Sequence, residues 1–179
     1  WPPAWLFALI TAALGLWRVN GGFALFVLLG FNLVLSMELW SEMIVTLSLV
    51  LTASGLALLI GLPLGILSAR SRLTWRLVRP CLDLMQTMPA FVYLIPAVML
   101  FSTGAVPSIL ATLIFAMPPV VRLTYLGIVE VPDDLIEAGR SFGCSDHQLL
   151  WKVQMPTAVP TVMTGVNQTI MLALSMVVI

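Results

Sequence analysis

From Leu84 to Val121 the chain runs for 38 residues without a charged side chain. As one helix, rising about 1.5 Å per residue, this run would far exceed the roughly 30 Å thickness of a bilayer core. A soluble domain would have to hide it under polar surface that the chain does not have. Of its 179 residues, 60% are hydrophobic and 9% are charged, against about a quarter charged in an ordinary soluble domain. The run therefore belongs in a membrane, and it has to fold back on itself. Ser102-Thr103-Gly104 followed by Pro107 supplies the turn chemistry, which predicts helices over residues 82 to 102 and 107 to 129.

Other charge-free runs fit the same reading. Trp1 to Trp17, Val19 to Met37 and Met43 to Ala69 each supply the apolar length of a span. The last run, Val153 to Ile179, opens with Pro156 and Pro160, so its helix is expected to begin near Thr161. The sum is an all-α polytopic membrane protein with about six helices. The opening Trp1-Pro2-Pro3 has no basic segment or small-residue cleavage site, which argues against a signal peptide. Both ends read as cuts in a longer chain.

Orientation follows from short loops, because Lys and Arg are retained on the cytoplasmic side. Arg70, Arg72, Arg76 and Arg79 fall in one loop, and Arg140 and Lys152 in another two spans later. Arg18 falls on the same side by counting backwards, while the Glu38 to Glu42 link and the Gly104 turn lie opposite and carry no basic residue. This places Cys81 and Cys144 in the cytoplasm, where thiols stay reduced. Arg122 is expected to snorkel to the cytoplasmic end of its helix. Zero net charge leaves no basic field for nucleic acid.

One segment is different. Glu130, Asp133, Asp134, Glu137, Arg140, Asp146, His147 and Lys152 all fall within 23 positions, so residues 130 to 160 form a loop built to meet water or a protein. Pro132-Asp133-Asp134 marks a helix start, with Asp133 the expected N-cap and the acidic pair matched to the dipole. Leu135, Ile136, Gly139 and Phe142 recur at helical spacing, and Gly143 suits the residue after the last turn. Ser145 and Gln148 have the spacing of a capping box for a second helix, which Pro156 is expected to end. Helices this short are marginal alone, so the membrane helices or a partner must hold them.

Within the loop stand Glu137-Ala138-Gly139, Gly143, and, after nine residues, Val153-Gln154-Met155-Pro156. This resembles the E-A-A, three residues, G, nine residues, I-x-L-P motif of ATP-binding-cassette importer permeases. The spacing matches throughout; Gly139, Val153 and Met155 depart in identity but keep small or aliphatic character. Trp40-Ser41, Gly61 to Gly65, Met85 to Tyr93, Val131 to Glu137 and Gly165 to Thr169 extend the resemblance over residues 40 to 179. The likeness is to permeases for glycine betaine, proline and related compatible solutes; residues 1 to 39 are read from hydropathy alone, as N-terminal transmembrane helices.

The resemblance implies a type I importer transmembrane domain, multi-pass in the inner membrane among its lipids. Glu137, Ala138, Gly139, Gly143 and Pro156 would couple it to a cytoplasmic ATPase. That partner subunit would carry the ATP and Mg, with no cofactor on this chain. A second permease subunit, with a homodimer expected, and a substrate-binding protein would complete the assembly. Choline, carnitine and amino-acid importers would look similar.

Other features are read without the resemblance. Pro89 and Pro96 interrupt the predicted fourth helix and Pro118-Pro119 the fifth, freeing carbonyls that a neighbour or a water-lined cavity must satisfy. Gln86, Thr87, Asn167, Gln168, Thr169 and Ser175 are polar in or near spans and are expected to face inward, lining a pore or bonding between helices. Gln86, Thr87, Pro89, Asn167, Gln168 and Ser175 are the candidate translocation path. Gly61 and Gly65 form a close-packing GxxxG pair. There is no P-loop, GxSxG or HExxH, and His147 has no ligand cluster around it. A secondary transporter would need carboxylates within its spans, and none stands between Asp83 and Glu130.

Overall fold

The computed structural model describes residues 4 to 177, and within them the chain is helical with short turns and no strand. It divides into two compact units, one ending at Ser48 and the other beginning at Leu49. The boundary falls inside a helix.

The first unit contains α1 (Ala4–Arg18), α2 (Gly21–Ser36) and the start of α3 (Trp40–Arg70). The Asn20 side chain caps α2 by accepting from the Phe23 amide at 2.9 Å. A Cβ at Gly15 would stand 2.8 Å from the Phe23 ring, so glycine there admits the ring where the two helices turn back on each other. Phe7, Phe31 and Trp40 form an edge-to-face cluster with centroids 5.6 to 6.3 Å apart. At 15 and 16 residues, α1 and α2 are shorter than the spans expected for them. Trp1, Pro2 and Pro3 lie outside the described residues.

The second unit continues α3 and adds α4 (Arg72–Thr87), α5 (Ala90–Phe101), α6 (Ala105–Val129), α7 (Asp133–Ser141), α8 (Asp146–Leu149), a π turn (Leu150–Gln154) and α9 (Met155–Val177). Among the described residues, only α3 and α6 of the six spans expected are long and apolar enough by themselves. The pair α4 and α5 passes only when taken together, and it is bent by 95°.

That bend corrects the single helix expected over 82 to 102. Pro89 disfavours helical backbone at the residue before it, and Met88 accordingly sits at φ −86°, ψ 136°. The Tyr93 hydroxyl donates at 3.0 Å to the Leu84 carbonyl, which also accepts the Met88 amide at 3.2 Å, and so ties α5 back to the last turn of α4. Helix α4 also starts at Arg72, so Arg72, Arg76 and Arg79 lie on a helix and not in a loop. The turn at Ser102 to Gly104 is present, with both residues at positive φ.

Helix α6 is the centre of this unit and runs unbroken through the buried Pro118 and Pro119. Neither they nor Pro96 in α5 ends a helix. A Cβ at Gly61 would stand 2.5 Å from Val120 Cγ1, and one at Gly65 2.6 Å from Thr124 Cβ, so the GxxxG face lets α3 lie directly on α6. Gly127 and Gly165 do the same between α6 and α9. Leu82, Val120 and Val121 form one core cluster; Ile128, Leu150, Ala158 and Val162 form another, which ties the hydrophilic loop to the apolar helices.

The last helix begins at Met155 and not near Thr161. In a regular α-helix the ring of Pro156 would clash with the Lys152 carbonyl. The widened π turn lies just ahead of it, with the Met155 amide bonded to the Leu150 carbonyl, and the Thr157 hydroxyl donates to the Val153 carbonyl at 2.7 Å. The chain is therefore helical from Asp146 to Val177.

Candidate coupling loop and polar face

Helix α7 starts at Asp133, with Pro132 in the cap position and no side-chain cap; Asp133 and Asp134 occupy the first turn, where their charge suits the dipole, so Asp133 is not the cap expected of it. The other end is closed more firmly. Gly143 has φ +78°, the Gly143 amide bonds the Arg140 carbonyl at 2.9 Å, and the Cys144 amide bonds the Gly139 carbonyl at 3.1 Å. These are the two bonds of a Schellman motif.

The expected capping box then opens the next helix. Ser145 Oγ accepts from the Gln148 amide at 3.4 Å, and Gln148 Oε1 accepts from the Ser145 amide at 3.0 Å. Across the turn, the buried Gly139 faces Leu149, whose Cδ1 would stand 2.7 Å from a Cβ there. Leu149 and Leu150 are buried, and Leu150 belongs to the core of α6 and α9. The loop is thus held from beneath by the membrane helices.

Its outer face is free. Glu137 and Ala138 are exposed, and Phe142, assigned by its spacing to an inward apolar stripe, is 90% exposed. Helical period alone could not reveal this, because Phe142 is the cap residue where the period ends. Pro156 is exposed in the first turn of α9 and does not end the loop.

The polar residues of the candidate path are not packed inside this single chain. Gln86, Thr87, Pro89, Asn167, Gln168 and Ser175 are all exposed in the single chain. Thr87 and Ser175 bond carbonyls of their own helices, Leu84 and Met171. Gln86 and Gln168 come together on a cavity of about 380 Å³, also lined by Trp75, Arg79, Arg122 and Tyr125. Asn167 and Ser175 are not among its lining residues. The buried positions of α9, Ala158, Val162, Gly165, Thr169 and Ala173, share one face, and Thr164, Gln168 and Ser175 lie outside it. Of the six polar positions expected inward, only Thr169 is buried, and its hydroxyl has no partner.

Two contacts beside this cavity were not foreseen. Arg122 forms an ion pair with Asp83, joining α6 to α4, so it does not simply snorkel. Asp83 lies within α4 and not at a helix end. The rings of Trp75 and Tyr125 stack with centroids 3.7 Å apart and 8° between planes. Neither pairing has a signal at fixed spacing, since the partners are 39 and 50 residues apart.

Residues 61–179 match the family described as the binding-protein-dependent transport system inner membrane component. The chain belongs to that family. Its fold is accordingly the membrane domain of a type I ATP-binding-cassette importer. It is 56% identical over 173 residues to the glycine betaine/proline betaine transport system permease protein of Escherichia coli, with 96% of this chain aligned and 49% of the relative. It is 51% identical to the glycine betaine transport system permease protein of Bacillus subtilis, over 99% of this chain and 63% of the relative. The glycine betaine/carnitine transport permease protein of Listeria monocytogenes is 52% identical over 99% of this chain and 64% of its own length. The chain thus spans from about half to just under two thirds of the length of these relatives. The permease match includes the whole of the loop, α9 and the Gly61 and Gly65 contact.

Proposed function

We propose that the chain is the core of a permease subunit that imports glycine betaine, proline betaine or a related osmoprotectant by alternating access. It works in the inner membrane as a multi-pass protein, and a cytoplasmic partner subunit supplies the energy by hydrolysing ATP with its Mg. A second copy of the permease and a substrate-binding protein complete the assembly. The relatives are named for betaines and carnitine, and a more distant one for trimethylamine N-oxide. All of these solutes carry a methylated nitrogen, which favours them over proline and other plain amino acids.

The observation that carries this reading is the build of α7. It is a helix clamped at its C-terminal end by the Schellman motif and from below by Gly139 on Leu149, yet its Glu137, Ala138 and Phe142 are exposed. A rigid element with a free face suits docking into a groove on the ATPase. The exposed polar side of α9 and the cavity at Gln86 and Gln168 suit a path completed by a second subunit, in which inward-facing groups come from two chains.

The test is a pair of substitutions in the full-length protein, Glu137→Arg and Gly143→Arg. Each should abolish co-purification of the ATPase and uptake of labelled glycine betaine, while membrane insertion stays intact. Undiminished co-purification would remove the coupling role from α7. Transport that persists without ATP hydrolysis would revive the secondary transporter.

A further inference from the structure

Helix α4 has three faces, each about a third of its circumference at 3.6 residues per turn. Trp75, Val78, Leu82 and Met85 face the core against α6. Leu73, Leu77 and Leu84 form a second stripe and are 67%, 65% and 61% exposed. Arg72, Arg76 and Arg79 form the third and are exposed as well. A helix lying in the membrane interface needs this division, with one side on protein, one among acyl chains and one at the height of the headgroups.

At the start of α4 the arginines surround a cavity of about 490 Å³ between the end of α3 and the first turns of α4. Ser68, Arg70, Arg72 and Arg76 line it, and the stacked Trp75 and Tyr125 form a wall. No carboxylate is among its lining residues. The one ion pair among the described residues is Arg122 with Asp83, so these three guanidinium groups have no acidic partner. Asp146 lines a neighbouring cavity together with Arg70 but is not paired with it.

One further feature points to an anion. Arg72 occupies the first position of α4 and that turn has no acidic residue, so beyond the cap that Ser71 gives the Thr74 amide, the positive helix end meets positive side chains, an arrangement that an anion would favour.

We propose that this cavity binds the phosphate of an anionic phospholipid headgroup, with Arg70, Arg72 and Arg76 around the phosphate and Leu73 and Leu77 beside the acyl chains. Inorganic phosphate offers the same group without the chains; the exposed leucine stripe favours the lipid. The proposal rests on residence in a membrane and not on the identity of the transported solute.

The test uses the full-length permease in complex with its partner subunits, in nanodiscs of phosphatidylcholine with and without phosphatidylglycerol. Retained lipid is read by native mass spectrometry. Wild type should keep phosphatidylglycerol in preference to phosphatidylcholine, and added salt should weaken the preference. An arginine near an anionic surface contributes about fivefold, so Arg72→Gln with Arg76→Gln should weaken retention about thirtyfold. The single Arg76→Gln should weaken it by a smaller factor and carries the comparison if the double variant does not insert. Arg79→Gln, on the same stripe but outside this cavity, should retain the lipid. An equal loss with Arg79→Gln would mean diffuse attraction and overturn the site, as would retention unchanged by the double variant. Displacement of the lipid by equimolar inorganic phosphate would overturn the lipid assignment, and loss of the ATPase from the double variant would make this surface a protein interface instead.

Discussion

Replacing Gly65 and Gly55 with alanine, one at a time, separates the packing of α3 from its helical propensity. Both glycines lie in the same helix within the second unit, so alanine brings each about the same gain in propensity, about 1 kcal/mol. Their surroundings are opposite. At Gly55 nothing lies within 4 Å of a new Cβ, whereas at Gly65 it would meet Thr124 Cβ at 2.6 Å and the Val121 carbonyl oxygen at 2.9 Å. Those neighbours belong to a fully buried residue and to backbone, so no flexible side-chain end can swing away. Forcing α3 from α6 by a methyl group costs about 1–3 kcal/mol. The propensity gain cancels in the comparison, leaving about 1–3 kcal/mol between the two variants. For a chain of this size each kcal/mol moves the midpoint by about 2–4 °C, and by less in a longer full-length protein. Thermal unfolding of the full-length protein in nanodiscs, followed by tryptophan fluorescence, should therefore place Gly65→Ala clearly below Gly55→Ala, with Gly55→Ala at or above wild type. A Gly65→Ala midpoint equal to or above that of Gly55→Ala would refute the close approach of α3 and α6.

The ion pair between Arg122 and Asp83 should show coupling in a double-mutant cycle. Because both side chains are a third to a half exposed, Asp83→Asn alone should lower stability by about 1 kcal/mol or less, and Asp83→Arg combined with Arg122→Asp should recover part of the loss, whereas purely additive losses would rule the pair out. For topology, a membrane-impermeant maleimide should reach Cys81 and Cys144 in inside-out vesicles and neither in right-side-out ones, with any other cysteines of the full-length protein replaced. Labelling of either from the outside would reverse the orientation drawn from the arginines.

The parts of this fold that were legible in the sequence depend on composition and on bonds between near neighbours. Helices α3 and α6 fall within three residues of the bounds drawn from their charge-free runs. The Ser145 and Gln148 box and the turn at Gly143 are bonds across a few residues, written directly into local residue types. Hydropathy has no sense of direction, however, so it could not see that Pro89 turns the chain by 95° or that the arginines before it ride on a helix. Prolines misled in the other direction at Pro118, Pro119 and Pro160, where packing on neighbouring helices keeps the backbone helical. The exposure of Gln86, Asn167 and Gln168 followed no local rule either, because which side of a helix is inside depends on what covers it.

The π turn at Leu150–Gln154 is equivalent to one extra residue threaded into an α-helix, and one residue is worth about 100° of rotation. It therefore sets the angular phase between the two ends of a continuous rod. At one end stands the buried Leu149 that supports Gly139 of α7; at the other, the polar side of α9 that carries Gln168. Annealing the π turn to regular helix would twist one end against the other by that angle without breaking the rod. Torque, as well as thrust, can thus pass along a single helix from the hydrophilic loop to the polar face.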